Sequence, residues 1–164
     1  MMDNAVQELL DKQALYELVL RYSRAVDRCD EEMLRSVYHP DAVDEHGTYT
    51  GGPDGFVDYM NAGSWSEERR KNKAQHVLTN PLFEVRGNIA FGECYSWVFQ
   101  NVDGELSIKG LARVVDRYER RDGEWRIAHR RVIPDWMPPG TALEQFVEGF
   151  RDRRDPSYER SGGW

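Results

Sequence analysis

Apolar positions Leu10, Ala14, Leu15, Leu18, Tyr22, Ala25 and Val26 recur at three- and four-residue spacings through residues 4–28, the stripe of a long amphipathic helix. Asp30, followed by Glu31 and Glu32, supplies an N-cap and an acidic first turn for a short second helix through Met33, Leu34, Val37 and Tyr38. His39-Pro40-Asp41 ends that helix. A strand-like stretch over residues 42–50 leads to Gly51-Gly52-Pro53, and Pro53 fits the first position of a third helix through Phe56, Val57 and Met60 that stops near Gly63. Residues 64–73, with Ser66, Glu67, Glu68, Arg69, Arg70 and Lys71, read as an exposed loop able to act as a flap.

From Ala74 the helical period gives way to long strand runs broken by tight turns. Arg86-Gly87-Asn88, Asp103-Gly104 and Asp122-Gly123 each interrupt β-rich sequence, and Asp-Gly is among the strongest short hairpin signals. Four long antiparallel strands follow, over residues 74–85, 89–100, 106–120 and 125–133. Pro134 ends the sheet, Pro138-Pro139-Gly140 turns the chain, and Thr141 with Glu144 forms a capping box before Leu143, Phe146, Val147 and Phe150. Residues 152–164 read as a tail that frays or docks on a partner, and no repeat or composition shift divides 1–164 into more than one domain. Helices first and then a meander of long strands is an α+β order, in which helices cover the concave side of a strongly bent, mostly antiparallel sheet. Such a sheet can close into a cone-shaped barrel around a pocket.

Composition narrows the function. The 164 residues make about one ordinary domain, and 40% hydrophobic with 12% aromatic content describes a globular chain. A formal net charge of −7 lacks the basic footprint of a nucleic-acid binder. The first residues are acidic where a signal peptide is basic, and no apolar run approaches the ~18 residues of a spanning helix, so a cytoplasmic protein without a membrane partner is expected. Cys29 and Cys94 read as two buried free thiols. The four histidines, at 39, 46, 76 and 129, show no metal spacing, and neither a glycine-rich phosphate loop nor HExxH occurs, so no metal or cofactor is expected.

Three residues carry candidate chemistry. Asp27 stands near a helix C-terminus, the end at which the helix dipole disfavours a carboxylate. Tyr22 and Asp27, five residues apart, are rotated by about 140° on a straight helix, so the helix is expected to end or distort near Asp27. His76 lies in a strand pattern, either as a packed core residue or as a base. An ordinary imidazole, with a pKa near ~6.5, accepts a proton at neutral pH at little cost, and a carboxylate beside it fixes one tautomer and stabilises the imidazolium. Tyr22 lies on the buried stripe, where its ring fills the core or its hydroxyl reaches a substrate oxygen.

Four segments resemble the SnoaL-like branch of the nuclear transport factor 2-like superfamily, which holds scytalone dehydratase, bile acid 7α-dehydratase and hexachlorocyclohexane dehydrochlorinase. They are LVLRYSRAVDRCD (18–30), HPDAVDEHGTYTG (39–51), AQHVLTN (74–80) and DRYERRDGEWRIAHR (116–130). The resemblance implies a pocket in which His76 is the catalytic base, Asp27 orients it and Tyr22 assists the leaving group or an oxyanion. It puts His46 and Tyr49 at the pocket wall and implies a pocket arginine at Arg130, although Arg126 and Arg131 make that strand basic on both faces. His129 alternates with Arg130 and points the other way. Trp97, Phe99, Trp136 and Met137 are candidates for walls or a lid. Val98 stands nearest the position where the dehydratases carry a second acid/base group, which removes one such group here. The expected activity is a cofactor-independent lyase, water elimination first, or an isomerase, acting on a small hydrophobic, cyclic, polyketide- or steroid-like molecule. The alternative is a non-catalytic ligand-binding or assembly module, such as a small subunit of a ring-hydroxylating dioxygenase. Aromatics left over on the sheet imply a homodimer or homotrimer.

Overall fold

The computed structural model describes residues 4–66, 71 and 73–160. Helix α1 (Asn4–Arg28) buries Asp11, Leu15, Leu18, Val19, Tyr22, Ala25 and Val26, one residue or pair per turn, while Leu10 faces solvent. The helix stops one residue after Asp27. Cys29 takes a left-handed φ of 53°, and the Asp30 N–H reaches back to the Ala25 carbonyl at 2.9 Å, the closing bond of a Schellman end. The same Asp30 caps α2 (Glu31–Ser36) through its side chain. Helix α3 (Pro53–Ala62) begins on Pro53 and ends at Gly63, as its sequence predicts.

Strands β1 (Tyr38–His46), β2 (Tyr49–Gly51), β3 (Lys73–Arg86), β4 (Ile89–Val102), β5 (Glu105–Arg121) and β6 (Glu124–Trp136) form one sheet in the order β2-β1-β6-β5-β4-β3. Only the β1–β6 pairing is parallel. The architecture is thus the expected α+β one, but β2 and β3 remain edges and the sheet is open, not a closed barrel. Both Asp-Gly turns form with Asp103 and Asp122 at positive φ. Bulges in β3, β5 and β6 bend the long strands. The three helices bury their apolar sides against Ala42, Cys94, Val114, Tyr118 and Ile127.

Several elements depart from the sequence reading. Residues 42–50 are not one strand: Gly47, at a φ of 65°, turns β1 back into β2, and β1 itself starts earlier, at Tyr38. Pro134 does not end the sheet, because β1 pairs with β6 only as far as Arg131 and leaves that side of Pro134 without a neighbouring strand, where a missing N–H costs no ladder bond. The helix expected after Thr141 is a single 3-10 turn, Leu143–Gln145, and the Thr141 hydroxyl bonds the Pro138 carbonyl instead of capping. Of the proposed flap, Glu67–Arg70 and Asn72 lie outside the described residues. Trp65 before it is buried, not exposed, and its indole N–H donates to the Val26 carbonyl at 3.0 Å.

The C-terminal segment packs on its own chain through Arg160. Buried Asp155 takes both ends of the Arg113 guanidinium at 2.8 and 2.9 Å and caps the Phe150 and Ser157 N–H groups, while Arg131 binds Glu159 and Arg160 binds Glu84. Burial pushes the Asp155 carboxyl up, but Arg113 and the two backbone N–H groups outweigh it and hold the group well below the usual carboxylate range. A carboxyl lowered in the folded state contributes stability above its unfolded value of about 3.9, lost as pH falls through the lower folded value. The anchor is therefore expected to hold at pH 4–5. Limited pepsin digestion should cut the 146–160 segment of Asp155→Asn at pH 4–5, where the parent chain resists and yields only in stronger acid.

Candidate active site

A cavity of about 1120 Å³ opens between the helices and the sheet, walled by Tyr22, Val26 and Asp27 of α1, Phe56, Tyr59 and Met60 of α3, His46 of β1, His76 of β3, and Val98 with Phe99 of β4. Its volume matches or exceeds that of ordinary small-molecule pockets. The exposed cations Arg28, Lys73 and Lys109 also border it.

Asp27 and His76, 49 positions apart in sequence, meet on its wall. One carboxylate oxygen, Asp27 Oδ1, accepts both the His76 backbone N–H at 3.0 Å and the ring Nδ1–H at 2.8 Å. The Ser23 hydroxyl, one helical turn earlier, donates to the His76 carbonyl at 2.7 Å. Three bonds thus tie His76 to the last two turns of α1, and two of them go to a carboxylate at the unfavourable end of the helix dipole. An ionised carboxylate only accepts, so Nδ1 carries the proton and the Nε2 lone pair is available. Nε2 has no hydrogen-bond partner among the described residues.

Tyr22 also lines the cavity, with its ring buried. Burial pushes its phenol up, against the pull of the Arg130 guanidinium beside it, so the hydroxyl stays protonated and serves as a donor. Arg130 is not a wall residue. It is fully buried behind Tyr22, its Cζ 3.8 Å from the ring centroid, and grips Asp116 through Nε and Nη2 at 2.8 and 2.7 Å. Tyr118 donates to the same carboxylate, and Tyr38 donates to Asp44 at 2.5 Å. Asp44, Arg130 and Asp116 stand in register on β1, β6 and β5, a buried ladder beneath the cavity floor. His129 points to the other face and pairs with Glu45.

Three more expected wall residues lie elsewhere. Tyr49 bonds the Gly52 carbonyl and packs on Phe56 and Tyr59. Trp97 and Trp136 are 43% and 46% exposed on the outer face, because Val77, Trp97, Leu111 and Trp136 stand opposite one another across four strands. The pairing of His76 with Val98 sets that parity: Val98 faces the cavity, and Trp97 before it turns to the outer face. Phe99, stacked on Trp97, reaches the cavity border, whereas Met137 packs near Gly110. Cys94 is buried, its thiol pushed up to about 12 by burial, while Cys29 is only half-buried and borders the cavity. Asp44 escaped the sequence reading, although its two-residue spacing from His46 in a strand was the signal for a shared face. Among the described residues, no group of three or more His, Cys, Asp or Glu side chains is placed to hold a metal ion, and no helix is long and apolar enough to cross a membrane.

The profile of the SnoaL-like domain matches residues 7–131. The chain belongs to the SnoaL-like family. The γ-hexachlorocyclohexane dehydrochlorinase of Sphingobium indicum is 30% identical over 139 residues, spanning 82% of this chain and 86% of that protein. A solved NTF2-like protein with a cystatin-like fold from Novosphingobium aromaticivorans superimposes with a TM-score of 0.72 at 23% identity, over 87% of this chain and 94% of that one. The β subunit of a putative aromatic-ring-hydroxylating dioxygenase from the same organism gives 0.68 at 17% identity, over 85% and 99%. At those identities the two structures speak for the SnoaL-like fold alone.

Proposed function

We propose that this SnoaL-like protein is a cofactor-independent lyase that eliminates across a carbon–carbon bond of a small hydrophobic, cyclic substrate. The carrying observation is the 2.8 Å Asp27–His76 contact on a cavity wall with Nε2 left to the ligand. Nε2 takes the proton from a carbon beside an electron-withdrawing group. The C–H electron pair becomes the double bond, and the leaving group departs from the neighbouring carbon with its own pair. Asp27 holds the tautomer and balances the imidazolium, and the protonated Tyr22 hydroxyl donates to a developing oxyanion or leaving atom. The dehydrochlorinase relative, which shares the domain over most of its length, supports elimination as the reaction class.

Purified protein offered γ-hexachlorocyclohexane and a set of cyclic β-hydroxy ketones is expected to release chloride or form conjugated enone, and His76→Ala is expected to lose that turnover. Equal rates in the two proteins would sink the reading. One observation favours a second reading, a non-catalytic assembly module: Val77, Tyr95, Trp97, Ile108 and Trp136 are exposed apolar side chains on the sheet strands. That reading expects no His76-dependent turnover, and loss of a co-purifying partner when Trp97 is changed to Ser.

A further inference from the structure

The cavity carries a second imidazole backed by a carboxylate, and elimination by His76 leaves it without a task. Asp44 and His46 alternate on β1 and so share its inward face, while Glu45 between them turns outward to His129 and Arg131. Asp44 is 1% exposed; its Oδ2 accepts from Tyr38, and its Oδ1 has no hydrogen-bond partner among the described residues. His46 Nδ1 is likewise buried without a formed bond, and it lies 3.4 Å from that Asp44 oxygen. The contact is within ion-pair reach but longer than a formed hydrogen bond. A buried carboxylate oxygen without a donor is costly, and an Nδ1–H on His46 supplies the donor. With Nδ1 turned to Asp44, Nε2 is the ring nitrogen that faces the cavity His46 lines.

The surrounding charges point the same way. Along the buried ladder two carboxylates, Asp44 and Asp116, face one guanidinium, Arg130, and the nearby Tyr22, Tyr38 and Tyr118 are neutral phenols held up by burial. The formal charges of the ladder leave one negative in excess, and His46 Nδ1 lies 3.4 Å from its Asp44 end. Opposite the base, Val98 has no proton to give.

We propose, building on the elimination reading above, that His46 is the general acid of this site, with Asp44 as its positioning residue, and that the departing group is a hydroxyl rather than a halide. Hydroxide is a poor leaving group; chloride leaves with its electron pair and needs no proton. In the step, His76 Nε2 gains the carbon-bound proton, the C–H pair forms the double bond and the C–O bond breaks. The oxygen takes the Nε2 proton of His46 and leaves as water. The two imidazoles then exchange one proton with solvent to reset.

The test pairs a cyclic β-hydroxy ketone with the β-chloro ketone of the same skeleton, each rate corrected for spontaneous elimination. His46→Gln is expected to lower kcat on the alcohol by about 10²- to 10⁴-fold more than it lowers kcat on the chloride. Asp44→Asn is expected to show the same split at smaller size, which a merely structural lesion would not produce, because unfolding lowers both rates alike. His76→Ala should lower both rates by about 10²- to 10⁴-fold. Equal losses on alcohol and chloride in His46→Gln, or no loss on the alcohol, would overturn the assignment of His46 while leaving elimination by His76 intact. Absence of His76-dependent turnover with either ketone would overturn both.

Discussion

Replacing His76 by alanine is expected to lower kcat for elimination by about 10²- to 10⁴-fold, the ordinary worth of a positioned base. The fold should survive, because two of the three bonds that tie this strand to α1, from the His76 backbone N–H to Asp27 and from Ser23 to the His76 carbonyl, do not involve the ring. Asp27→Asn should act differently from the loss of a triad aspartate in which an amide turns the imidazole to the wrong tautomer. Here a single oxygen receives both the backbone and the ring N–H. An asparagine that keeps its carbonyl oxygen there preserves the tautomer and loses only the negative charge. The expected cost is about 10- to 100-fold in kcat, from the difference between a charge-assisted and a neutral hydrogen bond plus lost stabilisation of the imidazolium. Steady-state kinetics beside thermal melts would check both variants: kcat should fall while the melting temperature stays near that of the parent.

Removing Arg130 is expected to cause the largest loss of stability. Arg130→Met leaves Asp116 fully buried without its cation, with the Tyr118 hydroxyl as its one remaining side-chain donor among the described residues. Breaking a buried pair on one side typically costs about 3–5 kcal/mol, because the surviving charge stays uncompensated. For a domain of this size that is a drop in melting temperature of roughly 6–20 °C. Urea unfolding should show a lower midpoint with an unchanged slope. Adding Asp116→Leu to Arg130→Met should recover part of the loss, since an apolar pair in place of an ion pair is often neutral or better. The single variant should also lose activity, because the Tyr22 ring rests on the guanidinium at 3.8 Å.

Much of this architecture was legible in the chain. The stripe of α1, the acidic start of α2, Pro53 at the head of α3 and the two Asp-Gly turns each encode a local rule, and local rules survive folding. That Asp27 and His76 meet was implied by the resemblance alone; on a straight helix Asp27 turns about 140° from Tyr22, and the two side chains meet where α1 ends at Cys29. What failed depended on register. A plain two-residue hairpin after Arg86 would set His76 opposite Phe99 and so turn Trp97 toward the cavity. The bulge at Asn80-Pro81, with Asn80 at a φ of 53°, shifts the pairing by one residue and brings Val98 there instead. Arg130 was misjudged for a related reason: only the pairing of β6 with both β1 and β5 puts it between Asp44 and Asp116, deep in the core. Pro134 escaped because its tolerance rests on where a neighbouring strand happens to run out.

The shared oxygen of Asp27 has a consequence for the approach of any ligand. Since it anchors the peptide group and the ring of the same residue, the imidazole has lost its torsional freedom before anything arrives. The ordering entropy falls on the folding of the chain, and molecular encounter meets an imidazole already aimed.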